Sequence, residues 1–264
     1  MNVHVFKYIC LTNLHVGSGD VNYNIIDNEV ERDPATDYPM IHASGIKGAL
    51  REHFTQKKMD TAQIERIFGA PPKQKEAIKS GTHKFLDAKF LARPMRVGNS
   101  ATLASIPVLS ISAVNDYLQL LTAFGCNHYH IEKIELGENA FGNAQFLTNC
   151  AGGITVEGEK TEKLPDEVAA QLQKLEDVLG KYFAVAKDIN NYPLPVMARN
   201  YLVNGESKNL WYEEVVPHGS VFYQLTITPD EHIELPLEKE PIQFGGNATI
   251  GCGFIRIEKL GGTK

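Results

Sequence analysis

Four acidic residues alternate along one short segment of the chain, a spacing that suits carboxylate chemistry. They are Asp27, Glu29, Glu31 and Asp33, and His15 lies upstream in the stretch His15-Val16-Gly17-Ser18-Gly19. In an extended segment, alternate side chains share one face. Carboxylates on one face can hold a divalent cation through oxygen ligands or accept protons. The segment therefore predicts either an acidic reactive face or a polar strand exposed to solvent.

A second segment has the composition of a phosphate site. Residues 43–51 read Ala-Ser-Gly-Ile-Lys-Gly-Ala-Leu-Arg. Ser44 can cap a helix there, and the glycines leave first-turn amides open to an oxyanion. Lys47 and Arg51 are four residues apart and therefore share a face beside the apolar stripe Ile46, Leu50 and Phe54. This pattern predicts a phosphate-binding helix N-terminus, or alternatively an ordinary capped helix with solvent-facing cations.

Glycine is concentrated just before the predicted C-terminal strand, at Gly245, Gly246, Gly251 and Gly253. Glycine permits left-handed conformations and close approach of another backbone. The segment lacks the Gly-Lys-Ser/Thr of a nucleotide-hydrolase loop and the strand-then-helix context of a dinucleotide fingerprint. A polynucleotide-contacting loop and a tight turn remain. The pair His128-x-His130 has no acid or cysteine at a matching spacing, so we predict loop or core there.

Strands at both ends of the chain are expected to position these segments. Apolar periodicity predicts strands over 3–11, 221–228 and 254–257, and helices over 113–124 and 165–179. Residues 197–202 and 210–215 flank the turn signal Asn204-Gly205 and predict a projecting hairpin. This order of elements favours an α+β domain built on an antiparallel sheet over a doubly wound fold.

Composition and charge narrow the class of protein further. A chain of 264 residues with 43% apolar and 22% charged residues is neither disordered, collagen-like nor a coiled coil. The four cysteines form no C-x-x-C pair, which opposes a zinc ribbon or a disulfide framework. The sequence has no signal-peptide pattern and no apolar run of membrane-spanning length, so we expect a soluble cytoplasmic protein without a membrane partner.

The net charge of −6 opposes general binding to nucleic acid. Residues 41–100 differ from this average, because they contain twelve lysines and arginines against five acids. A basic segment inside an acidic chain predicts either a local anion-binding face or a solvated helical surface.

Taken in order, these motifs resemble the RAMP superfamily of CRISPR proteins. The similarity lies in His15-Val-Gly-Ser-Gly, in residues 27–36 and 38–51, and in Gly245-Gly-Asn-Ala-Thr-Ile-Gly-Cys-Gly. Within the superfamily, residues 210–217 and 221–223 resemble the repeated backbone subunit of the type III-B, or Cmr, effector complex. The motifs cover about 11–51 and 196–257, whereas the middle of the chain matches only loosely.

The resemblance implies a single RAMP domain over 1–264. Its palm would be a modified RNA-recognition motif of ferredoxin-like type over about 1–56 and 217–264. Helical inserts would occupy about 57–195, and a β-hairpin thumb about 196–216. Copies of such a subunit stack along a CRISPR RNA into a helical filament with other effector subunits. Each copy of the family's backbone subunit cuts the paired single-stranded target RNA at regular intervals, in antiviral defence.

The resemblance also implies roles for particular residues. Asp27 takes the position of the family's cleavage carboxylate, as a ligand of Mg²⁺ or Mn²⁺ or as a proton acceptor. His15 is a helper near the same loop, and Glu213 on the hairpin is a further catalytic candidate. The expected RNA-binding residues are Ser44, Lys47, Arg51, Gly245, Gly246, Gly251 and Gly253, and the expected wedge residues of the thumb are Met197, Tyr201 and Trp211.

Three functions remain open at this point. The first is a metal-dependent, RNA-guided endoribonuclease subunit. The second is a non-catalytic subunit that only binds the guide RNA, or its type III-A counterpart. The third is a guide-processing RAMP endoribonuclease that uses His15 without a metal.

Overall fold

The computed structural model describes residues 1–17, 19, 25–70, 79–137, 139–151, 153–231 and 233–263. Ser18 of the predicted glycine loop lies outside these residues. The described helices are α1 (Ala43–Gln56), α2 (Thr61–Phe68), α3 (Ile111–Ala123), α4 (Asp166–Gln173) and α5 (Glu176–Leu179). Short 3₁₀ turns cover Ile189–Asn191 and Ala248–Ile250.

Strands supply most of the regular structure in the described part of the chain. In chain order they are β1 (Asn2–Cys10), β2 (Met40–Ile41), β3 (Gly69–Ala70), β4 (Lys79–Ser80), β5 (Lys84–Phe85), β6 (Ala88–Gly98), β7 (Ser105–Leu109), β8 (Phe146–Thr148), β9 (Thr155–Val156), β10 (Glu159–Lys163), β11 (Ala184–Ala186), β12 (Val196–Val203), β13 (Glu206–Glu214), β14 (Val221–Thr228), β15 (Ile242–Gln243) and β16 (Phe254–Gly262).

One large sheet organises the molecule. Among the described residues it has twelve strands in the order β15-β16-β1-β14-β6-β7-β11-β8-β10-β9, with β2 beside β6 and β5 beside β14. Its pairs are antiparallel except β7 with β11 and β8 with β10. Strand β9 also pairs with β6, so that the second half of the sheet closes on itself. The predicted α+β class on a largely antiparallel sheet is confirmed.

Strand β1 lies between β14 and β16 and separates two cores. Its residues Phe6, Tyr8 and Cys10 pack into one cluster with the buried face of α1, whereas Val3 and Val5 pack into the other with α3. Apolar side chains on both faces of a strand are typical of a strand covered on both sides. Helices therefore cover both faces of the sheet.

The predicted helices are present with changed bounds. The second one, predicted over 165–179, is divided into α4 and α5 because Leu175 N bonds to Leu172 O, a three-residue step that interrupts the four-residue pattern. Its apolar stripe is nevertheless buried as predicted, at Val168, Leu172, Leu175 and Leu179.

Two regions of the chain differ from expectation. The acidic segment, expected to be extended, makes only isolated bridges over 25–32, at Asn28, Val30 and Arg32, and forms no strand there. The region 57–195, predicted as helical inserts, contains α2 to α5 but also β3 to β11. Sequence periodicity missed the long strand β6 because Phe90, Leu91 and Ala92 are buried in succession and show no alternation.

The hairpin β12–β13 stands apart from the large sheet. Its turn is Asn204-Gly205, and both residues have the positive φ angles that a two-residue hairpin turn needs. Seven of its large apolar side chains are exposed: Val196, Met197, Tyr201, Leu202, Val203, Leu210 and Tyr212. A projecting hairpin was predicted at this place, and the structure contains it.

Neither disulfides nor a membrane-spanning helix is found in the part of the chain that the structure describes. The four cysteines are free. None of the described helices is long and apolar enough to cross a membrane.

Candidate nucleic-acid interface

Segments that are far apart in the sequence meet at the base of the hairpin. Leu14 bridges Val216, Gly17 bridges Val30, and Asn28 bridges Glu213. The C-terminal glycine loop joins them, because Gly246 N donates to the carbonyl of His15 over 2.9 Å. The acidic segment, the His15 loop and the glycine loop therefore form one site, although no sequence spacing links them.

His15 lies at the centre of this site and is buried, with 8% of its surface exposed. Its Nδ1 lies 2.7 Å from the carbonyl oxygen of Glu214. A carbonyl can only accept, so Nδ1 carries the proton and donates it. The second ring nitrogen, Nε2, lies beside Gly17. Only Nε2 is then left to interact with a substrate.

Asp27 lies at the open edge of β13 and is exposed. Its Oδ2 accepts from Tyr212 N over 2.8 Å, and its own N donates to Tyr212 O over 3.1 Å. These two bonds fix the carboxylate against the strand. They occupy one of its oxygens, and Oδ1 has no partner among the residues that the structure describes.

The other acids of the segment turn to different partners instead of forming one face. Glu31 Oε1 lies 3.1 Å from His42 Nε2, and Asp33 Oδ2 pairs with Lys89 Nζ over 3.1 Å. Within the ranges that the structure covers, no three His, Cys, Asp or Glu side chains are close enough to hold a metal ion. The expectation of a shared acidic face is therefore wrong, and the described residues do not fit a preformed cation site at Asp27.

Glu213 is buried below the hairpin, with 6% of its surface exposed. It accepts from Trp211 Nε1 over 2.9 Å, from Arg199 Nε over 3.1 Å and from Asn247 Nδ2 over 2.8 Å. Burial by itself would raise the pKa of Glu213, but these three donors and nearby His15 outweigh it and lower the pKa. Glu213 is therefore a charged anchor for its neighbours, and its oxygens are already bonded.

Glu214, which sequence reasoning did not single out, anchors the opposite side. Its carboxylate accepts from Val30 N and Arg32 Nη2, and its carbonyl accepts from His15. No sequence signal marks it, because an acid next to Val215 and Val216 looks like an ordinary strand end. The buried partners of His15 and Arg32 are visible only in the folded chain.

Helix α1 differs from prediction at its first turn. It begins at Ala43 with His42 as N-cap residue, and no side chain of the helix caps it. The expected cap Ser44 lies exposed inside the first turn. Instead Asp87, from the start of the next sheet segment, accepts from Ala43 N over 2.7 Å. A carboxylate supplied by tertiary structure thus replaces the local hydroxyl.

The predicted cations of α1 remain available for an anion. Lys47 and Arg51 are half-buried, and neither forms an ion pair with any residue that the structure describes. A Cβ at Gly45 or Gly48 would meet nothing within 4 Å, so the helix surface at these two glycines is open. A groove of about 330 Å³ runs from these glycines to Gly245 of the C-terminal loop.

The four glycines of the loop divide into two groups. A Cβ on Gly245 would lie 2.3 Å from His15 O, and one on Gly253 would lie 2.0 Å from Phe244 O. Both glycines are required for close packing of the loop. Around Gly251 nothing lies within 4 Å, and around Gly246 the nearest atom is 3.8 Å away. The backbone at these two positions is therefore open to another molecule.

The predicted wedge residues share one face of the hairpin. Met197 is opposite Glu213, Arg199 is opposite Trp211, and the alternate residue Tyr201 follows on the same side. Met197 and Tyr201 are 37% and 59% exposed. Trp211 is half-buried, so it is neither a core residue nor fully free to stack.

A chain with this fold and site belongs to the RAMP superfamily, whose family model matches residues 7–256. The CRISPR system Cmr endoribonuclease Cmr4 of Pyrococcus furiosus is 27% identical over 97% of this chain and 95% of its own length. The CRISPR system Cms endoribonuclease Csm3 of Enterococcus italicus is 38% identical, but over 33% of this chain and 45% of its own length.

Solved structures share the fold. A chain of the type III-B Cmr-beta complex bound to cognate target RNA matches with a TM-score of 0.72 at 20% identity, covering 97% of this chain and 96% of that chain. The crystal structure of oligomeric Cmr4 from Pyrococcus furiosus matches with a TM-score of 0.69 at 20% identity, covering 99% of both chains. The resemblance predicted from the motifs is confirmed.

The role of Glu213 as a charged anchor predicts a pH-dependent stability. Glu213→Gln keeps the shape but replaces the charge-assisted bonds, so we expect a loss of about 2 kcal/mol in the free energy of unfolding at neutral pH. A carboxylate with a lowered pKa stabilises the fold above its ordinary value of 4.5 and loses that contribution as pH falls through the folded-state pKa. The difference between variant and wild type should therefore shrink below pH 4.5.

Urea denaturation at neutral and acidic pH measures this difference. Glu206→Gln is the matched control, because Glu206 forms an exposed ion pair with Lys208 on the same hairpin. It should cost less than about 0.5 kcal/mol at either pH. A Glu213→Gln loss that stayed constant down to about pH 3 would contradict the anchoring role.

Proposed function

We propose that this protein is the CRISPR RNA-binding backbone subunit of a type III effector complex and that it cuts guide-paired target RNA at regular intervals in antiviral defence. One observation carries the proposal. The hairpin base brings Asp27 and His15 next to an open glycine loop, which a groove connects to Gly45 and Gly48 of α1, the helix that also carries the unpaired cations. Similarity over almost the full chain to a protein named an endoribonuclease supports it.

The proposal includes the architecture and partners of the family. The part of the sheet around β1, β14 and β16, with α1, corresponds to a modified RNA-recognition palm, and the hairpin β12–β13 corresponds to the thumb. Copies of the chain would stack on one CRISPR RNA, beside other effector subunits, and bind the single-stranded target in the cytoplasm. Solved relatives described as oligomeric Cmr4 and as Cmr-beta bound to target RNA support this arrangement.

Guide phosphates would lie along α1 in this proposal. Asp87 already occupies the amide of Ala43, and the remaining first-turn amides together with the positive end of the helix dipole would attract an anion. Lys47 and Arg51 add two charges on the same helix, and the lack of side chains at Gly45 and Gly48 allows a sugar-phosphate backbone to approach closely. Ser44, exposed in the first turn, can donate its hydroxyl to the same anion.

Cleavage requires little from the protein, because RNA carries its own nucleophile. The 2′-oxygen attacks the adjacent phosphorus while the bond to the 5′-oxygen breaks, which leaves a cyclic phosphate, and the leaving 5′-oxygen takes up a proton from water to become a 5′-hydroxyl. Asp27 Oδ1 is placed to accept the 2′-hydroxyl proton. His15 Nε2 is the ring nitrogen left to face the phosphate, and it would donate to a phosphate oxygen when the ring carries both protons. Holding the three reacting atoms in line supplies much of the rate.

A requirement for Mg²⁺ or Mn²⁺ is part of the proposal, although the described residues alone do not make a cation site. A cation would supply charge stabilisation at the phosphate. The test is to measure cleavage by the assembled complex in EDTA. Cleavage should be abolished in EDTA and should be restored by added Mg²⁺ or Mn²⁺. Unchanged cleavage in EDTA would instead favour metal-free chemistry at His15, as in a guide-processing enzyme.

A non-catalytic guide-binding subunit is the second candidate function. It is favoured by the bond that occupies Asp27 Oδ2 and by the dispersal of Glu31 and Asp33 to other partners. A type III-A counterpart is a further alternative, and the partial similarity to Csm3, which is named an endoribonuclease, bears on that alternative and not on a non-catalytic role. Labelled target RNA, incubated with the guide-loaded complex, separates cutting from binding.

Asp27→Asn should abolish most cleavage without disturbing the fold. The amide oxygen keeps the bond to Tyr212 N but cannot take up the proton, so we expect cleavage to fall by about 100-fold, the scale of losing a general base. Target affinity should stay near wild type. The assay is single-turnover cleavage with guide-loaded complex.

Glu31→Gln is the control for Asp27→Asn, because it removes a charge from the same segment where Glu31 contacts His42. It should cut at the wild-type rate. If Asp27→Asn cut normally and Glu31→Gln did not, the catalytic carboxylate would have to be reassigned to Glu31.

Replacing both Lys47 and Arg51 by alanine should weaken guide binding. Each lost phosphate contact lowers the salt slope of single-strand binding by roughly 0.7, so the double variant should lose about one to two units. The control Lys57→Ala/Lys58→Ala removes two charges at the other end of α1 and should keep the slope. Filter binding over a salt series measures the slope of each double variant. If the Lys47→Ala/Arg51→Ala variant had the wild-type slope, these two cations would not contact the guide.

Shortening the hairpin should change where the target is cut. Replacing residues 202–207 by Asn-Gly, or Met197, Tyr201 or Trp211 by alanine, removes a surface on which a base can stack, worth roughly 1–3 kcal/mol per base. Guide binding should be largely intact, because α1 is untouched. Sequencing gels of the products show the cut positions, and a wild-type pattern from the shortened hairpin would exclude it as the wedge.

A further inference from the structure

One cation on the hairpin has no role in the functions described so far. Arg199 lies on β12 opposite Trp211, on the face that Met197 and Tyr201 share. Its side chain is 21% exposed. Its Nε donates to Glu213 over 3.1 Å, and one Nη2 hydrogen points to Cys252 Sγ over 3.8 Å. Among the described residues, the remaining guanidinium N–H groups have no partner.

Glu213 holds this guanidinium in one orientation. The carboxylate is itself fixed by Trp211 and Asn247, so the bond to Arg199 Nε has a rigid acceptor. A guanidinium held at Nε presents its terminal nitrogens as a planar fork, the geometry that matches phosphate oxygens. Prior orientation of this kind lowers the entropy cost of binding.

The surroundings favour an RNA phosphate over any anion in solution. Residues 196–214 contain one other cation, Lys208, which pairs with Glu206 near the turn. Arg199 faces the glycine loop, where Gly251 is open and where the backbone of a strand can approach. Asp27 lies on the other edge of β13, about 10 Å away across two strand spacings. An arginine side chain spans much of that distance.

We infer that Arg199 binds a phosphate of the target strand beside the cut and that Glu213 is its positioning residue. The inference rests on the proposed function, because it assigns a contact within the same cleft. In this arrangement Arg199 holds the strand on one side of β13 while Asp27 acts on the other. The guide strand stays with the cations of α1.

Three variants in the guide-loaded complex test the assignment. Arg199→Ala should lower single-turnover cleavage at least 10-fold with the guide content unchanged. Arg199→Lys keeps an ion pair with Glu213 but loses the fork, so it should remain defective. Lys208→Ala removes the same charge from the same hairpin, away from the cleft, and should cut like wild type.

Sulfur substitution in the target identifies the contact directly. A target with a single phosphorothioate of defined stereochemistry, placed at the cut or at the next phosphate, should slow wild type for one isomer. The same isomer should have little further effect on Arg199→Ala, because the contact is already gone. Equal slowing of wild type and Arg199→Ala at every position, or full activity of Arg199→Lys, would overturn the assignment.

These outcomes are separable from failure of the proposed function. If the wild-type complex binds target but never cuts it, the endoribonuclease proposal fails. If wild type cuts and Arg199→Ala cuts equally well, only the Arg199 inference fails.

Discussion

Two adjacent buried carboxylates, Glu213 and Glu214, hold the site together. Successive side chains of a strand point to opposite faces, so the two acids bond to different parts of the chain. Burying carboxylates is costly unless hydrogen bonds offset the lost hydration. The donors to Glu213 are the side chains of Trp211, Arg199 and Asn247, and the donors to Glu214 are the backbone N–H of Val30 and the side chain of Arg32. The hairpin, the glycine loop and the acidic segment therefore keep fixed positions relative to His15.

This anchoring explains how an exposed hairpin can position a substrate. An isolated two-stranded hairpin is marginally stable in water, and most of β12 is solvent-exposed. Only the base of β13 is buried, at Glu213 and Glu214. In the proposed function the outer part of the hairpin would contact RNA, whereas the base fixes its orientation relative to the core. The contact with RNA would then depend on the hydrogen bonds of Glu213 and Glu214 at the base.

The charged residues near the site are also arranged by local contacts. The whole chain is acidic, with a net charge of −6. The acids near the site are mostly bonded within it, whereas Lys47 and Arg51 on α1 are unpaired among the residues described. In the proposed function an RNA strand would meet these two cations on one helix, and the acidic remainder of the chain would disfavour binding elsewhere. Acidity of the chain and binding of RNA are compatible for this reason.

Much of the fold follows from local patterns in the sequence. The strand β1, the apolar face of α1 and the turn Asn204-Gly205 were each predictable, because periodicity and turn chemistry act over a few residues. The motifs around His15, Lys47 and Gly245 were sufficient to predict the family. Strand β6 was not predictable by alternation, because a strand buried on both faces has none.

The site itself was decided by tertiary structure. The sequence by itself determined which reactive groups are present: the carboxylate of Asp27, the imidazole of His15, the cations Lys47 and Arg51, and the glycine loop. It did not determine that Asp87 caps α1, that Glu31 and Asp33 turn away from Asp27, or that Glu213 holds Arg199. Those contacts join residues 11 to 56 positions apart, and hydrogen bonds between such residues leave no periodic signal in a sequence.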